Sequence, residues 1–86
     1  MAAEPRETRL KRLRLRAWRR GMRETDLLLG GFADARLAAM DGAALDRFEA
    51  LLGESDQDIM AWITGTAPVP AAHAELIAAI LRDRGA

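Results

Sequence analysis

Apolar positions in this chain recur at intervals of three and four, and no segment alternates apolar with polar residues at period two. That pattern predicts helices and no sheet. Val and Ile together number five, Tyr is absent, and Ala and Leu dominate, a usage that suits helices. The first helix is predicted over residues 8–20. On a wheel of 100° per residue, Arg12, Arg16, Arg19 and Arg23 form one stripe. Leu10, Leu13, Leu15, Ala17, Trp18 and Met22 are read as the opposite side. Gly21 then ends the helix or makes a tight turn.

A second helix is predicted from Glu24 to Ala39 with Leu28, Phe32 and Ala35 inward, and Gly30-Gly31 weakens it by about 1 kcal/mol per glycine. Asp41 is a suitable N-cap for a third helix carrying Leu45, Phe48 and Leu52 and ended by Gly53. Ser55-Asp56-Gln57-Asp58 resembles a capping box opening a fourth helix through Ile59, Trp62 and Ile63 to Gly65. Pro68-Val69-Pro70 is a stiff connector, and Pro70 fits the first turn of a fifth helix with Ala74, Ile77, Ile80 and Leu81 inward. The expected fold is all-α, about five short helices in one compact bundle.

Eighty-six residues suit a single domain over 1–86, with residues 1–7 expected to be a flexible N-terminal segment. The absence of cysteine removes disulfides, thiolate metal sites and a cysteine nucleophile, and the one histidine, His73, builds no histidine-rich metal site. No apolar run approaches the roughly 20 residues of a membrane span, so no membrane insertion is expected. Formal charge is zero but unevenly spread. Residues 1–23 hold nine Lys and Arg against two acids, and residues 24–86 hold four against eleven. A charge dipole of this kind points toward a partner. No apolar stretch follows the basic start, as a secretory signal requires, and Glu4 and Glu7 argue against a mitochondrial presequence. The expected location is cytoplasmic.

The densest polar feature is Arg19-Arg20-Gly21-Met22-Arg23-Glu24-Thr25-Asp26. Read structurally, arginines close one helix and acids open the next, each where the helix dipole favours it. Read functionally, a glycine between a guanidinium and a carboxylate is a notch that a partner's backbone can approach. The stripe of Arg12, Arg16, Arg19 and Arg23 is either a solvated face or a phosphate-binding one. A small protein- or nucleic-acid-binding adaptor built on that arginine-rich helix is the alternative function. Against nucleic acid stand the acidic remainder and a would-be recognition helix, Asp56–Thr64, with two acids and no base. Asp56 and Asp58 with Trp62 read as helix capping beside a core tryptophan, or as an ion or partner contact; two acids make a poor divalent-ion site, and no metal is expected. His73 is expected at the surface or half-buried. No nucleophile–base pair is evident, so the chain does not read as an enzyme.

The stretch from Trp18 to Gly30 (Trp-Arg-Arg-Gly-Met-Arg-Glu-Thr-Asp-Leu-Leu-Leu-Gly) resembles the signature of the SdhE family of succinate dehydrogenase flavinylation, or FAD assembly, factors. The family's Arg-Gly-x-x-Glu motif falls on Arg20, Gly21 and Glu24. A second stretch is similar as well: Leu45, Phe48-Glu49, Leu51-Leu52, Asp56-x-Asp58-Ile59 and Trp62-Ile63-Thr64-Gly65. Together the two cover Leu10 to Gly65. Met60 stands where the family often has an aromatic, and Gly31 loosens the second helix. The resemblance implies a five-helix, non-catalytic assembly factor that promotes covalent attachment of FAD to the flavoprotein subunit of succinate dehydrogenase, with fumarate reductase as a further client. It implies that the flavin's 8α carbon is joined to a client histidine, so FAD travels with the client and this chain holds no cofactor permanently. It places Arg20, Gly21 and Glu24 against the client, Arg20 pairing with a client carboxylate or carbonyl. Trp18, Arg19, Arg23, Asp26, Asp56, Asp58 and Trp62 are the expected supporting contacts, the tryptophans from beneath the corner. No nucleic acid is expected as a partner, and the free protein is expected to be a monomer.

Overall fold

A computed structural model describes residues 4–85. Five helices follow one another: α1 (Arg6–Trp18), α2 (Arg23–Arg36), α3 (Gly42–Leu52), α4 (Asp56–Thr64) and α5 (Ala71–Gly85), with a short 3-10 turn at Leu37–Ala39 after α2. There is no strand among the described residues. Three of the predicted stops and starts have the expected chemistry. The Asp41 carboxylate accepts from the Ala44 N–H at 2.8 Å, the Ser55 hydroxyl accepts from the Asp58 N–H at 3.1 Å, and Gly65 closes α4 in the left-handed conformation at φ +78°.

The core runs through all five helices, from Leu13 on α1 and Leu29 on α2 to Phe48 on α3, Ile59 on α4 and Ile77 on α5. Phe32 and Phe48 stack across it, ring centroids 6.1 Å apart. Four expectations are corrected here. First, α1 begins at Arg6, inside the segment 1–7 expected to be flexible, and ends at Trp18. Arg6 donates to the carbonyls of Ala38 and Met40, and Glu4 pairs with Arg12 at 2.9 Å, so both are tied to the body of the fold; residues 1–3 lie outside the described residues. Second, Leu15, Trp18 and Met22 are exposed. Leu15 lies only about 60° from Arg12 around the helix, at the edge of the arginine stripe, and beyond Trp18 the register is lost because the chain leaves helical geometry at Arg19.

Third, the buried side of α2 is turned: Phe32 is buried as expected and Leu28 packs half-buried against the core, but Leu29, Gly30 and Ala33 are buried as well, while Ala35 is exposed. The cause is Gly30. The Trp18 indole lies flat against it, and a Cβ at this position would stand 2.2 Å from Trp18 Cδ2. The glycine read as a weak point is the surface on which α1 and α2 meet. Fourth, α5 buries His73 and Leu76 beside Ile77 and Ile80, leaving Ala74 and Leu81 exposed.

Candidate functional site

The four-residue connection between α1 and α2 is organised by Arg20. Its backbone N–H donates to Asp26 Oδ1 at 2.7 Å, which fixes the corner to the first turn of α2. Its side chain turns inward and is 10% exposed. Nε donates to Asp56 Oδ1 at 2.6 Å, Nη1 to the Leu52 carbonyl at 2.7 Å, and Nη2 to the Glu54 carbonyl. Leu52 is the last residue of α3, where unpaired carbonyls gather negative charge, and Asp56 is the first residue of α4. One guanidinium thus joins the end of α3 and the start of α4 to the corner. Beneath it, buried Thr25 donates its hydroxyl to the Met22 carbonyl at 3.1 Å, and the same carbonyl accepts the Asp26 N–H at 2.9 Å.

Gly21 follows at φ +103°, a conformation L side chains rarely adopt. Apart from Gly21 itself and its two chain neighbours, no atom of this chain stands within 4 Å of where its Cβ would be. The backbone there is open to another molecule, and the need for glycine is conformational. Arg19, Arg23 and Glu24 are exposed around it, as are Met22 and Leu27. Glu24 lies in the first turn of α2, where the helix dipole favours its charge.

The residues singled out in the sequence therefore divide. Arg20, Asp26 and Asp56 form one internal hydrogen-bonded joint, while Gly21, Arg23 and Glu24 line its outer side. Arg20, expected to pair with a client, instead directs its donors in this structure to Asp56 and the α3–α4 turn of its own chain. Trp18 is half-exposed, packs on Gly30 and donates Nε1–H to Asp34 at 3.2 Å. Asp58 is exposed and its backbone serves the α4 cap. Trp62 is buried and lies over the ring of His73, centroids 5.4 Å apart, instead of beneath the corner. His73, expected at the surface or half-buried, is buried with Nε2 at 2.9 Å from Glu54 Oε2. Sequence reasoning missed Thr25, Gly30, Glu54 and His73. The i, i+4, i+7 set of His73, Ile77 and Ile80 was the signal available for the histidine.

The arginine stripe is not the free cationic face an adaptor on nucleic acid needs. Arg9 and Arg12 reach across to α3, Arg9 to Asp46 at 2.6 Å and both to Glu49 at 3.0 Å, while Arg16 stands 3.8 Å from Glu49. The hydrogen bond from Arg12 foremost, then that from Arg9, holds the Glu49 carboxyl below its ordinary value of 4.5. Arg19 and Arg23 lie beyond the end of α1 and do not continue that stripe. Among the described residues no group of three His, Asp or Glu is placed to hold a metal ion, and no helix is long and apolar enough to cross a membrane.

Fold and corner together define a small all-helical protein whose motif is half internal joint and half open surface. Residues 11–84 match the family model described as "Flavinator of succinate dehydrogenase". The chain belongs to that family. It is similar to proteins named succinate dehydrogenase assembly factor 2, mitochondrial: 46% identical over 80% of this chain in Mycosarcoma maydis, 49% over 70% in Candida glabrata, and 37% over 93% in Aedes aegypti. The matched segments are 29%, 42% and 51% of those relatives' lengths, so this chain spans about half or less of each. Their names also overturn the expectation of a cytoplasmic location, since each relative is called mitochondrial. The two acids held against a presequence carried less information than the family does.

Proposed function

We propose that this chain promotes covalent attachment of FAD to the flavoprotein subunit of succinate dehydrogenase by docking the outer side of its corner onto the immature subunit. The observation that carries this reading is the exposure of Gly21 and Glu24 on a turn whose geometry is set from behind by Arg20. Membership of the flavinator family supplies the client class. In this reading the chain is a chaperone. The flavin bond forms in the client, which carries the FAD, and the corner contributes binding and orientation. Gly21 lets the client backbone approach. Glu24 accepts hydrogen bonds from the client segment that bears the acceptor histidine, and Arg23 with Leu27 and Met22 extends the contact. Ordering reacting atoms that otherwise search conformations is worth several kcal/mol of barrier. The free chain acts as a monomer and leaves once the flavin is attached.

Co-expression with the cognate flavoprotein subunit, reading covalent flavin by in-gel fluorescence, tests the proposal. Glu24→Ala should leave helicity and melting unchanged and lower flavinylation roughly tenfold or more, the scale of a lost charged contact at a docked interface. Equal fluorescence with wild type, Glu24→Ala and no added chain sinks it. The same assay with the fumarate reductase flavoprotein subunit tests a second client.

A further inference from the structure

Glu54 lies in the three-residue turn between α3 and α4 and is gripped from two directions. Its backbone carbonyl accepts from Arg20 Nη2, and its carboxylate oxygen Oε2 stands 2.9 Å from Nε2 of His73 on α5. His73 is itself held: its side chain is 8% exposed, Trp62 packs against its ring, and its backbone N–H bonds the Pro70 carbonyl at 2.9 Å. The geometry assigns the proton to Nε2, because only a donor there meets the carboxylate and Nδ1 is buried with no hydrogen-bond partner. A buried polar atom without a partner is costly, and an apolar residue at this position would avoid the cost. What the histidine gains in exchange is the contact that Nε2 makes with Glu54.

We propose that His73 is a positioning residue for flavinylation: by gripping Glu54 it fixes the α3–α4 turn whose carbonyls seat Arg20, and through Arg20 it fixes the outward corner of Gly21 and Glu24. The path is short and each step is a hydrogen bond or one residue of chain. The turn's own bonds, Gly53 N–H to the Ala50 carbonyl and Glu54 N–H to the Leu51 carbonyl, tie it back to α3 alone. Arg20 and His73 tie it to the α1–α2 connection and to α5. The role in flavinylation rests on the docking function proposed above; the mechanical link from α5 to the corner does not.

The test uses the full chain in two assays. The first follows the Arg20 Nε–H cross-peak by NMR and its exchange with water, which reports the seat of the guanidinium without any client. The second is flavinylation by co-expression. His73→Ala is expected to speed exchange at Arg20 Nε–H roughly tenfold, as loss of a hydrogen bond to a charged group would, and to lower flavinylation. His73→Gln, whose amide can donate to Glu54 from a similar place, is expected to restore most of both. Ile77→Val, a core change on the same helix, controls for general loss of stability and should move neither readout as far at matched stability. The proposal is overturned if His73→Ala resembles Ile77→Val in both assays, or if His73→Gln restores nothing while remaining folded. Faster exchange in His73→Ala with flavinylation indifferent to both His73→Ala and Glu24→Ala would instead keep the mechanical link and remove the docking function.

Discussion

Two arginine-rich regions of this molecule make opposite use of the same side chain. At the corner, Arg20 is withdrawn from water and spends its donors on two backbone carbonyls and one carboxylate. Along the α1–α3 face, Arg9 and Arg12 are more exposed and share the carboxylates of Asp46, Glu49 and Glu4. The buried joint has no substitute partners: without the guanidinium, the carbonyls of Leu52 and Glu54 and the charge on Asp56 lose their match in a place water reaches poorly. The surface ladder is redundant and solvated, and losing one rung lets water and the next arginine take over.

The largest effect is therefore expected at Arg20. Arg20→Ala should lose about 3–5 kcal/mol in urea unfolding, the cost of leaving a buried charge unpaired, against a total of only about 4–13 kcal/mol for a domain this size. Arg20→Lys should recover little, because a single ammonium does not span Asp56 and two carbonyls. A loss below 1 kcal/mol would place the corner in the same class as the ladder. Gly30→Ala comes next. The added methyl must push the Trp18 indole off α2, costing about 1–3 kcal/mol, offset in part by up to about 1 kcal/mol of helix propensity. Tryptophan fluorescence should shift to the red, and an unmoved spectrum would contradict the contact.

Smaller still is Gly21→Ala, about 1–2 kcal/mol for forcing a side chain into positive φ. No neighbour stands in the way, so bulk should matter little to stability, and Gly21→Arg should unfold at nearly the same urea concentration as Gly21→Ala. Flavinylation should separate the two, since only the larger side chain obstructs a client. The weakest effect belongs to the ladder. Glu49→Gln should cost no more than about 1 kcal/mol at pH 7. The folded-state carboxyl is lowered from 4.5, so its contribution is complete above about that pH and fades as pH falls through the lower folded value. Melting curves of wild type and Glu49→Gln should converge in acid, and raised salt at neutral pH should narrow the gap as well.

Much of this architecture was legible from residue order, and the reason differs by element. Asp41, Ser55, Gly53 and Gly65 act within a few residues of themselves, and so does the three- to four-residue recurrence of the core; such features can be read without knowing the rest of the fold. What was misread depends on distant partners. Arg20 faces inward because Leu52, Glu54 and Asp56 lie more than thirty positions away. Gly30 turned the buried side of α2 because Trp18 needed its missing Cβ. The Arg-Gly-x-x-Glu pattern falls on the α1–α2 corner but does not distinguish which of its members looks outward, since charge and spacing are the same for a tether and an exposed side chain. His73 was discounted as an isolated histidine, and only tertiary structure brings it to Glu54.

The absent methyl at position 30 has one more consequence. Ring and gap form a lock whose two halves are useful only together, so drift at either one should be tolerated chiefly when the other changes in step. Among descendants of a common ancestor, a larger residue at 30 should coincide with a slimmer one at 18. An engineered pair, Gly30→Ala with Trp18→Leu, should regain part of what Gly30→Ala alone surrenders.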